Sequence, residues 1–263
     1  HPLTPMRDAF LPRVLAPQAG LPPNMEARAM PRHARLLVPG LPFHVVQRGV
    51  NKGAIFADDL DRDHFLRVMH KAFVKHDVAL HAYVLMDNHV HLLATPKTTG
   101  GLAHAMRALG TGYVQAFNQR HGRSGPLWQG RFHSSMIDND AYLLAVYRYI
   151  ELNPVRAGLV ASPEQAAWSS VHGNLGLRRD PLLTPHPALL MLGGTPAQRR
   201  VGYRAFLRDH RRASAEAPAI REHGRAQCPL GSARFLEMLA ETLGRPVAAR
   251  PRGRPRKPGS ESR

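Results

Sequence analysis

The sequence predicts an α+β fold built on an antiparallel β-sheet. Four short segments between turn signals alternate apolar and polar residues or form compact apolar runs, as strands do. The segments between and after them place apolar residues three and four positions apart, the spacing of amphipathic helices. A hydrophobic fraction of 43% is enough for a core of ordinary size, so we expect a folded chain rather than a disordered one.

The predicted elements follow one another as strand, helix, strand, strand, helix, strand, helix. Gly49 and the turn Asn51–Gly53 end the first strand, and the turn-prone pair Asp87–Asn88 separates the second strand from the third. Residues 138–140 supply N-cap candidates for the last helix, which Pro154 ends. The segments are a strand at 43–48, a helix at 58–76, strands at 80–86 and 90–95, a helix at 102–121, a strand at 132–137 and a helix from 141 to about 153. The βαββαβ order is that of a ferredoxin-like sheet.

Changes in composition and periodicity along the chain predict four parts. Residues 1–29 contain six prolines and no periodicity, and we expect a disordered leader there. A domain follows over 30–175, which carries the predicted sheet. Residues 176–244 are a small helical region, with helices predicted at 196–211 and 231–243, and residues 245–263 are a disordered basic tail.

The charge balance favours a polyanionic partner. Lys and Arg together number 36 against 19 Asp and Glu, a formal charge of +17. Nucleic acid and an acidic membrane surface both fit such an excess. The chain has no run of 18 apolar residues and no long basic amphipathic helix, so DNA is the better candidate. The single cysteine, Cys228, excludes an internal disulfide and a thiolate metal cluster, which fits a reducing cytoplasm.

The triplet His89–Val90–His91 is a candidate metal site. Residues i and i+2 of a strand point to the same face, so the two imidazoles project side by side while Val90 points into the core. Two neutral imidazoles at this distance can bind one divalent cation. The chain has 16 histidines, and chance placement explains an isolated triplet equally well.

Tyr149 and Asn153 form a second candidate pair. Four residues apart on a helix, they share one face. A tyrosine oxygen can attack phosphorus, and an amide oxygen one turn later can complete a metal site. A core tyrosine beside a residue at the helix end is the simpler alternative for this pair taken alone. Pro154 also disfavours helical geometry at Asn153.

Three separated motifs together resemble a known family. They are MDNHVHLL at Met86–Leu93, the loop that ends in LWQGRF at Leu127–Phe132, and YRYIELNPV at Tyr147–Val155. In this order they resemble the single-tyrosine HUH transposases, most of all the REP-associated tyrosine transposases (RAYT proteins). The resemblance covers about residues 30–168, and the leader over 1–29 has no counterpart in it.

The resemblance implies a ferredoxin-like catalytic domain and a specific set of site residues. Tyr149 corresponds to the nucleophile, and His89, His91 and Asn153 correspond to the ligands of Mg²⁺ or Mn²⁺. The implied activity is cleavage and rejoining of single-stranded, hairpin-bearing DNA through a 5′-phosphotyrosyl link. The implied setting is DNA transposition in the bacterial cytoplasm, at the nucleoid. The oligomeric state stays open.

Two basic segments are candidate DNA-binding elements. The loop from Arg120 to Arg131 holds Trp128, Arg123 and two flanking arginines, so it can bind phosphates while the indole stacks on a base. Equally, Trp128 can be a core residue and the arginines only solvated. In the tail, Arg252 and Arg254 flank Gly253 as in an AT-hook, which lies in a narrow A·T minor groove. A generic basic tail that binds by charge alone fits just as well.

Two other functions stay open at this point. A DNA-binding regulator could keep the transposase fold without catalysis, although the presence of all three motifs favours an enzyme. Alternatively, a nuclease could use His89 and His91 to activate water, and no covalent tyrosyl adduct would then form.

Overall fold

The computed structural model describes residues 38–138 and 140–247, and four strands in this part of the chain form one antiparallel sheet. The strands are β1 (Phe43–Arg48), β2 (Val78–Met86), β3 (His89–Pro96) and β4 (His133–Met136). Their spatial order is β2-β3-β1-β4, and every neighbouring pair is antiparallel. The ferredoxin-like sheet predicted from the sequence is thereby confirmed.

Two long helices cover one face of the sheet. They are α1 (Asp59–Lys75) and α2 (Gly101–Arg120). The Asp58 carboxylate accepts a hydrogen bond from the Asp61 N–H and caps the start of α1, which fixes where that helix begins. Apolar residues at helical spacing, such as Phe65 and Met69, are fully buried against the strands. This side of the sheet holds the larger of the two hydrophobic cores.

The helix that follows β4 is shorter than the sequence predicts. Helix α3 spans Asp140–Glu151, and a separate single turn, α4, spans Asn153–Arg156. The prediction of one helix to about residue 153 is therefore wrong at its end. Pro154 has no N–H to donate to the carbonyl oxygen of residue 150, so the helical hydrogen bonding is interrupted and a new turn begins at Asn153. The carboxylate of Asp138, one of the cap candidates, accepts hydrogen bonds from the N–H and the hydroxyl of Ser232.

The part of the chain after α4 contains more helix than the sequence predicts. Its helices are α5 (Val171–Asn174), α6 (Pro187–Leu190), α7 (Pro196–Arg208), α8 (His210–Ala226) and α9 (Ala233–Leu243). The predicted helix at 196–211 stops at Arg208, and α8 is additional to the predicted helices. Pro218 lies inside α8, and the buried residues of this helix are small except for Ile220, so the usual apolar stripe is weak.

Helix α8 packs against α3, β1 and β4, on the sheet face opposite α1 and α2. The described residues thus belong to one compact unit, and the boundary at residues 175 and 176 stays a prediction. Val247 is buried in the larger core, so the predicted disordered tail cannot begin at residue 245. The leader over 1–29 and the rest of the tail lie outside the described residues. None of the described helices is both long enough and apolar enough to cross a membrane.

Candidate functional site

The two faces of the sheet differ in chemistry. Towards α1 and α2 the central strands present apolar side chains such as Val45, Val90 and Leu92, all fully buried. Towards α3 and α8 the alternate positions of the same strands carry His44, His89 and His91, interleaved as the pleat requires. The polar side chains capable of chemistry therefore gather on the second face.

Three histidine rings lie together there. The ring centroids of His89 and His91 are 4.9 Å apart, which places the two imidazoles side by side. His44, from the neighbouring strand, stacks on His91 at 5.1 Å, and its Nε2 lies 2.8 Å from the Nδ1 of His91. His44 is not among the residues predicted from the sequence. Its partner is 47 residues away, and no local pattern indicates that pairing.

Burial keeps the predicted histidine ligands neutral. It lowers the pKa of His89 to about 4, with a smaller contribution from nearby Arg48, and lowers the pKa of His91 well below 6.5. The Nδ1 of His89 lies 2.6 Å from the Asn88 carboxamide oxygen, so Nδ1 carries the proton and donates it. The Nε2 of His89 then has its lone pair available. A neutral ring oriented by a hydrogen bond on its other nitrogen is the usual state of a metal ligand.

Helix α3 brings Tyr149 against these rings. The centroid of the Tyr149 ring is 5.6 Å from that of His91 and 5.6 Å from that of His44. The guanidinium of Arg156 lies over the tyrosine ring at 4.3 Å and also donates to the Tyr149 carbonyl oxygen. Tyr149 is thus held between imidazoles on one side and an arginine on the other. No sequence pattern indicates the position of Arg156, because it depends on the way α4 turns back over α3.

A cleft of about 830 Å³ opens at this place. His89, His91, Tyr149 and Asn153, the four predicted catalytic and metal-site residues, all line it. Basic side chains surround them, and no aspartate or glutamate is among the described residues that form the lining. The basic residues of the lining are Arg48, Lys52, Arg131, Arg156, Arg221 and Arg225. The cleft is therefore suited to an anionic ligand and contains a nucleophile with neutral nitrogen donors beside it.

Comparison with known proteins relates the sheet and α3 to a family. Residues 37–153 match the family model described as "Transposase IS200 like". This part of the chain is therefore similar to the IS200-like transposases. The broad functional class is accordingly a DNA-processing enzyme of the transposase type. The matched segment ends at Asn153, the first residue of α4, so α5 to α9 lie beyond it.

Two solved structures are similar to the transposase domain. A REP-associated tyrosine transposase bound to a REP hairpin shares 20% identity, covers 60% of this chain and 93% of its own, and gives a TM-score of 0.48. A putative transposase from Deinococcus radiodurans R1 shares 20% identity, covers 42% and 88%, and gives a TM-score of 0.32. Both TM-scores lie below 0.5, so neither likeness bears on substrate or mechanism here. No curated protein matches the chain.

The donor set of the transposase domain fits a divalent cation with an open coordination shell. Two imidazoles and the Asn153 amide face one cleft, and the described residues hold no cluster of three His, Cys, Asp or Glu suited to metal binding. Such a cation would therefore need further oxygen ligands from water or from the substrate. An incomplete protein shell is typical of catalytic metal sites rather than structural ones.

The loop residues predicted to bind DNA do not act as one group. Arg131 lines the cleft, but Arg120 forms ion pairs with Asp58 and the buried Asp61. These ion pairs balance the charge of Arg120 within the protein and connect the end of α2 to the start of α1. Arg123 lies outside the cleft, with its guanidinium 5.5 Å from the centre of the Phe117 ring.

Trp128 is a partly buried residue beside the larger core. Its ring packs partly against the core, 6.0 Å from the ring of Tyr113, while its Nε1 is buried without a hydrogen-bond partner in the described part of the chain. Base stacking by Trp128 stays a prediction. Arg252 and Arg254 lie outside the described residues.

A buried carboxylate fixes the helix that carries Tyr149. Glu151 is fully buried and accepts hydrogen bonds from Ser170, Asn174 and Tyr203. Burial raises its pKa to about 7, although the three hydrogen bonds oppose the shift. These donors come from the segment after α4, from α5 and from α7. The C-terminal helices therefore hold the end of α3 in place, a role that no sequence motif indicates.

Proposed function

We propose that this protein is a metal-dependent DNA strand transferase that cleaves single-stranded DNA through Tyr149. One observation carries the proposal: Tyr149 and two neutral imidazoles face each other in a cleft lined by basic side chains. A tyrosine in such a cleft can reach a phosphodiester, and the surrounding positive charge favours the polyanion that contains one. The match of residues 37–153 to a transposase family model supports the same chemistry.

The side chains of the cleft have separate roles in the proposed reaction. Arg48, Lys52 and Arg131 bind phosphates of the strand, which aligns one phosphodiester with Tyr149. A Mg²⁺ or Mn²⁺ ion held by His89, His91 and Asn153 would polarise a non-bridging oxygen of that phosphate. The Tyr149 oxygen then forms a bond to phosphorus as the bond from phosphorus to the 3′ oxygen breaks. The phenol loses its proton to the surroundings, and the 3′ oxygen takes one up.

The products of this step explain why a strand transferase is favoured over a hydrolase. The downstream strand is joined to Tyr149 through its 5′ phosphate, and the upstream strand ends in a 3′ hydroxyl. Because the tyrosyl ester retains the phosphodiester bond energy, a 3′ hydroxyl can attack it and rejoin strands. If the histidines activated water instead, hydrolysis would leave no tyrosyl ester, and the strands could not be rejoined.

The substrate we propose is single-stranded DNA next to a hairpin. Tyr149 is only 7% exposed, so a backbone must leave the stacked duplex to reach it. The sequence motifs resemble those of the REP-associated branch, and this resemblance extends the proposal to REP-like hairpins. Transposition or a domesticated form of it would use the same step.

Cleavage of an end-labelled hairpin oligonucleotide tests the proposal. With Mg²⁺ present, a 3′ label should move into a protein-linked band on a denaturing gel, while a 5′ label should appear on a shorter free strand that a polymerase can extend. EDTA should prevent both products. Binding without cleavage would identify a DNA-binding regulator, and cleavage without a protein-linked band would identify a nuclease that activates water.

A further inference from the structure

Helix α8 forms a wall of the cleft although it lies outside the segment that matches the transposase family. Its small buried residues Ala213, Ala217 and Gly224 allow it to lie close against α3 and the sheet. Towards the cleft it presents Ile220, Arg221, Gly224 and Arg225. The two arginines are one helical turn apart and both are exposed.

Helix α8 is anchored at two points. Near its middle, the fully buried guanidinium of Arg148, on α3, donates to the Glu216 carboxylate, which also accepts from Arg212. Near its end, the Ser135 hydroxyl of β4 donates to the carbonyl oxygen of His223. An ion pair with one fully buried partner and a hydrogen bond to a strand hold the helix in a fixed orientation. The positions of Arg221 and Arg225 are therefore set by the fold rather than by a mobile segment.

The electrostatics of this wall are unfavourable without a ligand. Arg156 faces the same cleft, and its pKa is lowered to about 10, mainly by burial and also by the positive charge of Arg221. Glu216 pairs with Arg212 of α8 and with the buried Arg148 of α3, whereas the described lining of the cleft contains no acidic side chain. Three guanidinium groups that converge without a carboxylate form an anion site.

We propose that Arg221 and Arg225 of α8, together with Arg156, bind neighbouring backbone phosphates of the DNA strand that enters the Tyr149 cleft. One helical turn separates the two α8 arginines by about 5.4 Å along the axis. That spacing suits successive phosphates of one unstacked strand. The inference rests on the proposed function, and it assigns to the C-terminal helices a substrate site that the transposase domain does not contain by itself.

Salt dependence of binding tests this site in the 263-residue chain. The probe is a short fluorescent single-stranded oligonucleotide, titrated in EDTA so that no cleavage intervenes. The variant Arg221→Gln/Arg225→Gln removes two charges from the cleft. The matched control, Arg67→Gln/Arg234→Gln, removes two charges from exposed positions on α1 and α9 that do not line the cleft.

The cleft variant should lower the slope of log Kd against log salt by about 1.4, since each phosphate neutralised on a single strand contributes about 0.7. The control should keep the wild-type slope, and Arg221→Lys/Arg225→Lys should restore most of it. Equal slopes in the cleft variant and the control would overturn the site. Because binding is measured without metal or cleavage, failure of wild-type protein to form a tyrosyl adduct would refute the proposed function and leave this result standing.

Discussion

The two faces of the sheet each carry a tyrosine on a helix, and the comparison separates structure from chemistry. Tyr113, on α2, is fully buried, and its hydroxyl donates to the Ile55 carbonyl oxygen at 2.5 Å. Burial raises its pKa above 10. Tyr149, on α3, instead lines a cleft with His91 and Arg156. One tyrosine is committed to the core, and the other faces a space that a ligand can enter.

The difference follows from what surrounds each ring. Around Tyr113 are Phe56, Phe65 and Phe117, and its hydroxyl is already committed to the Ile55 carbonyl oxygen. Around Tyr149 the neighbours are imidazoles and a guanidinium. Apolar packing stabilises the fold, whereas the polar face leaves like charges close together and is suited to an anionic substrate. Matched substitutions on the two faces test whether only the second face takes part in cleavage.

The largest effect is expected at the nucleophile. Tyr149→Phe should abolish the protein–DNA adduct and reduce cleavage by roughly 10⁴–10⁶-fold, as loss of a nucleophile does in other enzymes. Tyr113→Phe should keep the adduct and lower the free energy of unfolding by about 1 kcal/mol, because a buried hydrogen bond is removed. Mass spectrometry of the trapped adduct identifies the modified residue. An adduct at Tyr113, or one that survives in Tyr149→Phe, would contradict the assignment.

Neighbouring residues of β3 provide the next contrast. His89→Ala or His91→Ala should lower metal-dependent cleavage by more than about 100-fold while DNA binding is largely kept, since the effect of a ligand exceeds that of its supporting groups. Val90→Ala, between them on the apolar face, should cost roughly 1–3 kcal/mol of stability and leave cleavage per folded molecule unchanged. Wild-type cleavage rates in either histidine variant would exclude the metal site.

Removal of residues 248–263 leaves both faces intact and should weaken DNA binding without preventing cleavage of a short single strand. The truncation begins at 248 because Val247 is buried in the core. The salt slope on hairpin DNA should decrease by about 0.9 for each duplex phosphate that the tail neutralises. If the Arg252–Arg254 segment binds as an AT-hook, hairpins with A·T-rich stems should lose more affinity than G·C-rich ones. An unchanged slope would show that the tail does not bind DNA.

The smallest effect on cleavage is expected at His81, a structural histidine on β2. It is buried between the Thr184 carbonyl oxygen and the Thr95 hydroxyl, and burial lowers its pKa to about 4. As the pH falls, His81 is protonated in the unfolded chain before it is protonated in the folded protein. The stabilising contribution of the buried neutral imidazole is therefore complete above pH 6.5 and is lost as the pH falls towards 4. His81→Asn should flatten the loss of stability in this window, by up to about 1.4 kcal/mol per pH unit.

Urea unfolding between pH 4 and 6.5 measures this slope for the wild type and for His81→Asn. Cleavage at neutral pH should be the same in both proteins, because His81 is not part of the cleft. A steeper loss of stability in the variant would show that the imidazole is not held neutral.

Local pattern is sufficient for most of the elements and for part of the site. The alternation at Phe43–Arg48 and the pair His89 and His91 depend only on residues one or two positions apart, and both are predictable from the sequence. The predicted end of α3 is wrong, although the proline that causes the break is visible in the sequence. Helix α8 escapes prediction because alanine and Pro218 leave no clear apolar stripe.

The order of the elements up to α3, the face of the sheet that each strand residue occupies and the motifs of the family resemblance can all be read from the sequence. Which arginines stay available to bind an anion can be read only from the folded chain. Arg120 pairs with Asp61, 59 residues away, whereas Arg221 and Arg225 face the cleft. Backbone geometry fixes side-chain direction over a few residues, and that information is local. Which charged groups meet depends on how segments distant in sequence pack. The interaction energy of two charges depends on their separation in space, and the sequence does not specify that separation.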